Sequence, residues 1–323
     1  MNPTHSQLER GKAISTTRLF RAMGTEAYIE IVHAKGETRR ARASIAKAVD
    51  ICFEKIKIFS RFDPESELSK LNRNIGTFKD ASPDMIAVAL HSIEFNKESK
   101  GLFDPRILST LEHIGYASDA SSKLTFASIS KRFFPFHSLS LKHDLKIWGE
   151  SLRFDTSMDF SGIAKGYILD KMAESIAKDG WKNFLVDAGG DMVVRGANRE
   201  ILPWRIDIEN IPSTEILLTL SNISIATSGV TRRQWTSPAG KRYHHLINPK
   251  HPNVFSFDIL SVTTLAETAE RADFIAKTLF LMGIKDGYAY AKKHSVPALF
   301  VENKTMRPHI SPVMRKYILT KNQ

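Results

Sequence analysis

The stretch Asp159-Phe160-Ser161-Gly162-Ile163-Ala164-Lys165-Gly166-Tyr167 holds the residue types and spacing best suited to chemistry. It leads into a helix-like segment, where unpaired backbone N–H groups and a partial positive charge gather, and Lys165 adds a full charge. Gly162 and Gly166 would let the backbone come close to a ligand. These are the means by which a protein holds phosphate. The spacing is neither G-x-x-x-x-G-K-[ST] nor G-x-G-x-x-G, so the stretch alone does not specify which phosphorylated ligand.

Other short segments follow in a fixed order. Met23-Gly24-Thr25 opens a strand, Ser66-Glu67-Leu68-Ser69 leads to Asn72, and Phe103-Asp104-Pro105 closes a loop. After Lys165 come Asp187-Ala188-Gly189-Gly190-Asp191, Ala226-Thr227-Ser228-Gly229, His245-Leu246-Ile247-Asn248-Pro249, and Ala272-Asp273 on a long helix ending at Gly283. This series resembles the FAD:protein FMN transferase family, the ApbE type, whose pattern runs MGT, S-x-L-S-x-x-N, FDP-T, GxAKGY, GGD, ATSG, H-x-I-DP and AD-x-x-A-T. The likeness covers roughly residues 18 to 305.

The resemblance implies an α+β fold with mixed sheets, packed long helices, and an FAD cleft between two subdomains. It implies an enzyme that binds FAD, uses Mg²⁺ at the pyrophosphate, and moves the FMN half onto a threonine or serine hydroxyl of a partner protein, releasing AMP. Such transfer asks a protein mainly to position the nucleophile in line and to neutralise the phosphate oxygens. By resemblance Lys165 meets phosphate, Asp191 and the Thr227-Ser228-Gly229 loop line the flavin side, and Met23, Phe62, Asn72 and Asp104 border the dinucleotide. Phe62 would either offer a stacking face or simply fill core. His245 is the proton handler: in a strand, adjacent side chains point to opposite faces, so only one of His244 and His245 can look into the cleft, and the alignment selects His245. The Ala164 carbonyl and Asp273 are the implied metal ligands. No D-x-x-[ST]-G-A-[ST] segment, the form typical of the family's targets, occurs in this chain, so an acceptor flavoprotein would be modified in trans.

Departures from the pattern make the local charge more positive. Asn248 stands where the family has aspartate, and Lys250-His251-Pro252 replaces R-T-G. Arg106 replaces the threonine after FDP, and Lys277 replaces the threonine four residues beyond Asp273, with Thr278 beside it. That second threonine is a metal ligand in the family. Two readings stay open. Lys277, helped by Arg106 and Lys250, neutralises the pyrophosphate with little or no Mg²⁺, or Lys277 points to solvent and Thr278 or a water completes an ordinary metal shell. The activity has a matching alternative, a divergent FAD-binding protein or slow FAD pyrophosphatase with little transfer.

The elements that would carry these residues can be read from periodicity. Ala27, Ile29 and Ile31 alternate with polar neighbours, as do Trp204, Ile206 and Ile208, so both segments are half-buried strands. Ile45, Val49, Cys52, Ile56 and Phe59 step by three and four, as do Leu265, Ala269, Ala272, Ala276 and Leu279, which marks two helices. Further strands are expected at 184–187, 192–195, 216–220, 223–226, 244–247, 259–263 and 298–301, with Gly189-Gly190 turning between the first two. Residues 117–150 lack periodicity and read as a surface connection.

Composition sets the bounds. The 323 residues are 42% hydrophobic and 25% charged, ordinary for a soluble globular chain. The expected organisation is a polar tail over residues 1–17 and a flavin transferase-like domain of two packed subdomains over 18–323. The single cysteine, Cys52, excludes an internal disulfide and falls on an apolar stripe. No apolar run is long enough for a signal peptide or a membrane span, so the expected location is the cytoplasm. Lys and Arg exceed Asp and Glu by 46 to 35, but they are dispersed, so a dinucleotide pyrophosphate accounts for the excess better than nucleic acid does. Nothing in the sequence fixes the oligomeric state.

Overall fold

A computed structural model describes residues 13–116, 140–208 and 216–319. The chain opens with a hairpin of β1 (Ala13–Ala22) and β2 (Thr25–Ala34). Met23 and Gly24 make its two-residue turn with φ of 53° and 71°, the left-handed pair such a turn needs. Residues 13–17, expected within a polar tail, therefore belong to the sheet. Their polarity suits an edge strand: Ser15 donates to Glu30 across the ladder at 2.5 Å, and Thr16 meets His33 at 2.8 Å.

Next come α1 (Thr38–Phe59), α2 (Glu67–Arg73), the short β3 (Lys79–Asp80), α3 (Pro83–Glu98), a 3₁₀ turn at Pro105–Ile107, and α4 (Leu108–His113). Of the expected 117–150 connection, residues 117–139 lie outside the described residues. The remainder holds β4 (Leu145–Trp148), which pairs with β5 (Ser151–Phe154) and buries Leu145 while exposing Trp148, a strand too short for periodicity to reveal.

Then follow α5 (Ser161–Lys178), β6 (Phe184–Ala188), β7 (Asp191–Arg195), β8 (Trp204–Asp207), β9 (Leu217–Leu220), β10 (Ile223–Gly229), β11 (Gln234–Thr236) and β12 (Arg242–His244). The chain continues through β13 (Ile259–Ala266), α6 (Ala269–Lys293), β14 (Ala298–Glu302) and β15 (Pro308–Ile310). Leu265, placed on the helical stripe from the sequence, is the penultimate residue of β13. Gly283 interrupts α6 with φ of 82°, where the sequence suggested an end.

Eight strands form one sheet in the order β1-β2-β6-β7-β10-β13-β14-β15. All pairings among the described residues are antiparallel, so the sheets are not mixed. Alternation sorts the side chains onto two buried faces. Ile29, Ile31 and Val186 pack under α1 and α5, and Val262 and Phe300 under α6. Val32, Leu185, Val194, Leu299 and Val301 face the β8–β9 hairpin, where Trp204, Leu218 and Leu220 complete a second core. Among the described residues no helix is long and apolar enough to cross a membrane.

Candidate active site

α5 and α6 meet at Gly166. A side-chain carbon there would fall 2.5 Å from the backbone nitrogen of Glu270, so only glycine lets the start of α6 lie against α5. Gly166 therefore serves helix packing rather than ligand approach. Asp170, one turn on, accepts the N–H groups of Ala269 and Glu270 at 2.8 and 2.9 Å and so caps α6 from its neighbour. The lysine motif lies inside α5, not in a loop before it.

This crossing brings four charged side chains together. Lys165 on α5 reaches Asp191, the first residue of β7, at 2.5 Å, and Asp191 is fully buried. The other oxygen of Asp191 accepts the backbone N–H of Thr227 at 3.0 Å, and the Thr227 hydroxyl meets that of Thr263 at 2.9 Å, so β10 and β13 hold the carboxylate in place. On α6, Lys277 bonds Asp273, which is 2% exposed. Burial works against a charge on Lys165, but Asp191 and Asp273 together raise its pKa, so the ammonium is kept. Burial pushes the Asp273 carboxyl above the usual range against the pull of Lys277, and its second oxygen, Oδ2, is buried without a hydrogen-bond partner among the described residues.

His245 follows β12 directly. Its Nδ1 lies 3.3 Å from the carbonyl oxygen of Arg233. A carbonyl can only accept, so Nδ1 carries the proton and Nε2 keeps its lone pair. Burial drives the ring well below the usual imidazole range, and the charges of Arg233 and Lys277 push it the same way. The ring is therefore neutral, with one basic nitrogen. His244 points the other way: its Nε2 donates to the Ser256 carbonyl at 3.0 Å, and Phe255, Phe257 and Phe280 surround it.

An aromatic run borders His245. Phe62, Arg61, Tyr116, Trp235 and Tyr243 stack in sequence, with the Arg61 guanidinium 4.2 Å above the Phe62 ring and Tyr116 parallel to Trp235 at 5.3 Å. Arg61 also pairs with Asp159 at 3.3 Å, tying the end of α1 to the start of α5. Phe62 is 41% exposed, so it presents a ring face rather than filling core.

A family model described as "ApbE family" matches residues 23–300. The chain belongs to the ApbE family. The FAD:protein FMN transferase of Vibrio cholerae is 26% identical over 86% of this chain and 85% of its own length, and that of Haemophilus influenzae 26% identical over 75% and 73%. The fold superimposes on the flavin transferase ApbE from Vibrio cholerae with a TM-score of 0.80 at 24% identity, covering 94% of this chain and 99% of that one. The ApbE protein of Thermotoga maritima also gives 0.80, at 22% identity and 95% and 100% coverage.

Several residues expected from the ApbE pattern to border the ligand are committed to the fold. Asn72 grips the backbone of Met158 with both ends of its amide, at 2.8 and 2.9 Å. Asp104 and Asp144 hold the buried Arg106 at 2.6 Å each, so two carboxylates offset its one positive charge and the triad adds no net positive charge beside Lys277. Asn248 closes a turn by accepting the N–H of Lys250, and Lys250 lies exposed on it. Thr227, Ser228 and Gly229 form the end of β10 rather than a loop. Met23 sits in the β1–β2 turn, and neighbouring Thr25 touches Gly189 of the β6–β7 turn, so both turns meet at the end of the sheet where Asp191 begins. Arg61, Tyr116, Arg233 and Trp235 were not evident in the sequence. They act through distant partners, and only the Arg61-Phe62 pair after an amphipathic helix hinted at them.

Proposed function

We propose that this protein binds FAD and transfers its FMN half to a serine or threonine hydroxyl of a separate flavoprotein, releasing AMP. The observation that carries this reading is the pairing of Lys165 with Asp191 and Lys277 with Asp273 beside a neutral His245, in a chain whose relatives are FAD:protein FMN transferases. Two ammonium groups at the α5–α6 crossing suit a pyrophosphate, and the exposed face of Phe62 suits a flat ring.

The chain's residues divide the work. The acceptor hydroxyl oxygen attacks the phosphorus on the FMN side, a phosphoester bond forms, and the bond to the bridging oxygen breaks, so that AMP leaves with that oxygen. The hydroxyl proton passes to Nε2 of His245, which the Arg233 carbonyl holds in the required tautomer. Lys165 offsets the charge that builds on the phosphate oxygens, and Asp191 fixes the lysine. Asp273 acts through Lys277 and positions it.

The test is product analysis after incubation with FAD and an acceptor peptide carrying a serine or threonine. Covalent flavin on the peptide with AMP in equal amount is the expected outcome. AMP with free FMN and no labelled peptide would replace transfer with hydrolysis, and unchanged FAD would remove the enzymatic reading.

A further inference from the structure

Among the described residues no three His, Cys, Asp or Glu side chains cluster, so the fit of a cation rests on the donors of α5 and α6. The ApbE pattern calls for two hard donors on α6, an aspartate and a threonine one turn on. Mg²⁺ wants near-octahedral oxygen, whereas a charged lysine has no lone pair to offer. Thr278 does not make up the loss. It lies about 140° round the helix from Asp273, whereas Lys277 lies about 40° away, and its hydroxyl is buried without a hydrogen-bond partner among the described residues. The Ala164 carbonyl is inside α5, where regular helix bonding takes one of its lone pairs. What remains is Asp273, with one oxygen bonded to Lys277 and one open. These residues do not fit a divalent-cation site.

The position of Lys277 is equally specific. Its side chain is 17% exposed and lies along the first turn of α5, where a carbon on Gly162 would come within 3.7 Å of Cε. It does not project into solvent. The lysine stem thus lies in ordinary packing range of the Gly162 backbone.

The geometry points to Lys277 as the built-in cation of this site, which with Lys165 neutralises the FAD pyrophosphate so that binding requires no Mg²⁺. This rests on the flavin reading above. One ammonium carries half the charge of a divalent ion, and the Arg233 guanidinium, close enough to act on both Lys165 and His245, carries the other half.

Calorimetric titration of FAD into the purified protein, once with Mg²⁺ and once with EDTA, tests this without reference to turnover. For the wild-type chain the two Kd values should agree within about threefold. Lys277→Thr removes the ammonium and supplies a hydroxyl, so its affinity in EDTA should drop about ten- to a hundredfold and recover when Mg²⁺ is added. Lys277→Arg keeps the charge and should stay insensitive to EDTA, which guards against a misfolded threonine variant. Wild-type binding that disappears in EDTA and returns with Mg²⁺ would overturn the inference while leaving flavin binding intact. No heat under either condition would bring down the flavin reading and this inference with it.

Discussion

The role proposed for His245 rests on one hydrogen bond and on its surroundings. Replacing it with asparagine should lower kcat for flavin transfer about 10²- to 10⁴-fold while leaving FAD affinity nearly unchanged, as stopped-time product assays and calorimetry on one preparation would show. The competent ring is neutral, and its pKa lies well below 6.5. Activity should therefore hold as pH falls through 6.5 and decline only further into acid, and an acid limb centred at or above 6.5 would contradict the assignment. The motif order in the sequence singles out this histidine, but the strand expected at 244–247 ends at His244, so His245 turns away from its neighbour at the end of β12 and not by strand alternation. Arg106 shows the opposite case: its charge is plain in the sequence, but its partner Asp144 lies 38 residues away, and only the fold reveals that the guanidinium is spent on the Asp104–Arg106–Asp144 triad.

Among the elements, the α5–α6 contact decides the site, since each helix contributes one lysine. Gly166→Ala would press a methyl group into the backbone of Ala269 and Glu270. Overpacking of this kind costs about 1–3 kcal/mol, and here it would also push α6 away from Asp191. Urea unfolding should show the loss of stability, and FAD affinity should fall with it. Unchanged affinity at reduced stability would mean that the lysines do not depend on this crossing. The stripes of α1 and α6 were legible from their spacing, as was the Gly189-Gly190 turn, whose residues have φ of 63° and 96°. The part Gly166 plays in helix packing was not, because a glycine's neighbours across a helix crossing leave no trace in local sequence.

At the scale of the whole molecule, His244 is one group whose burial works against stability in acid. Burial among aromatic rings lowers its pKa to about 4 from 6.5. The unfolded chain then takes up a proton before the folded one does, so this residue's contribution is complete above pH 6.5 and is lost as pH falls towards 4, about 3 kcal/mol in all. Asp170 and Asp187, both raised by burial to about 6, work in the other direction over the same window, so the comparison must be between chains that share them. His244→Leu should close the gap to wild type, or widen its own lead, by about that amount between pH 6.5 and pH 4 in denaturant titrations. Parallel curves would show that the ring is solvated.

The sequence alone determined the family, the α+β class, the amphipathic helices and the order of the motifs, because periodicity and short-range spacing are local properties that a chain carries unfolded. Only the tertiary structure decided which of those motifs come together. Lys165 and Asp191 are 26 positions apart and Lys277 comes 86 after Asp191, and whether such charges meet depends on how closely two helices approach and on which face of each is turned inward.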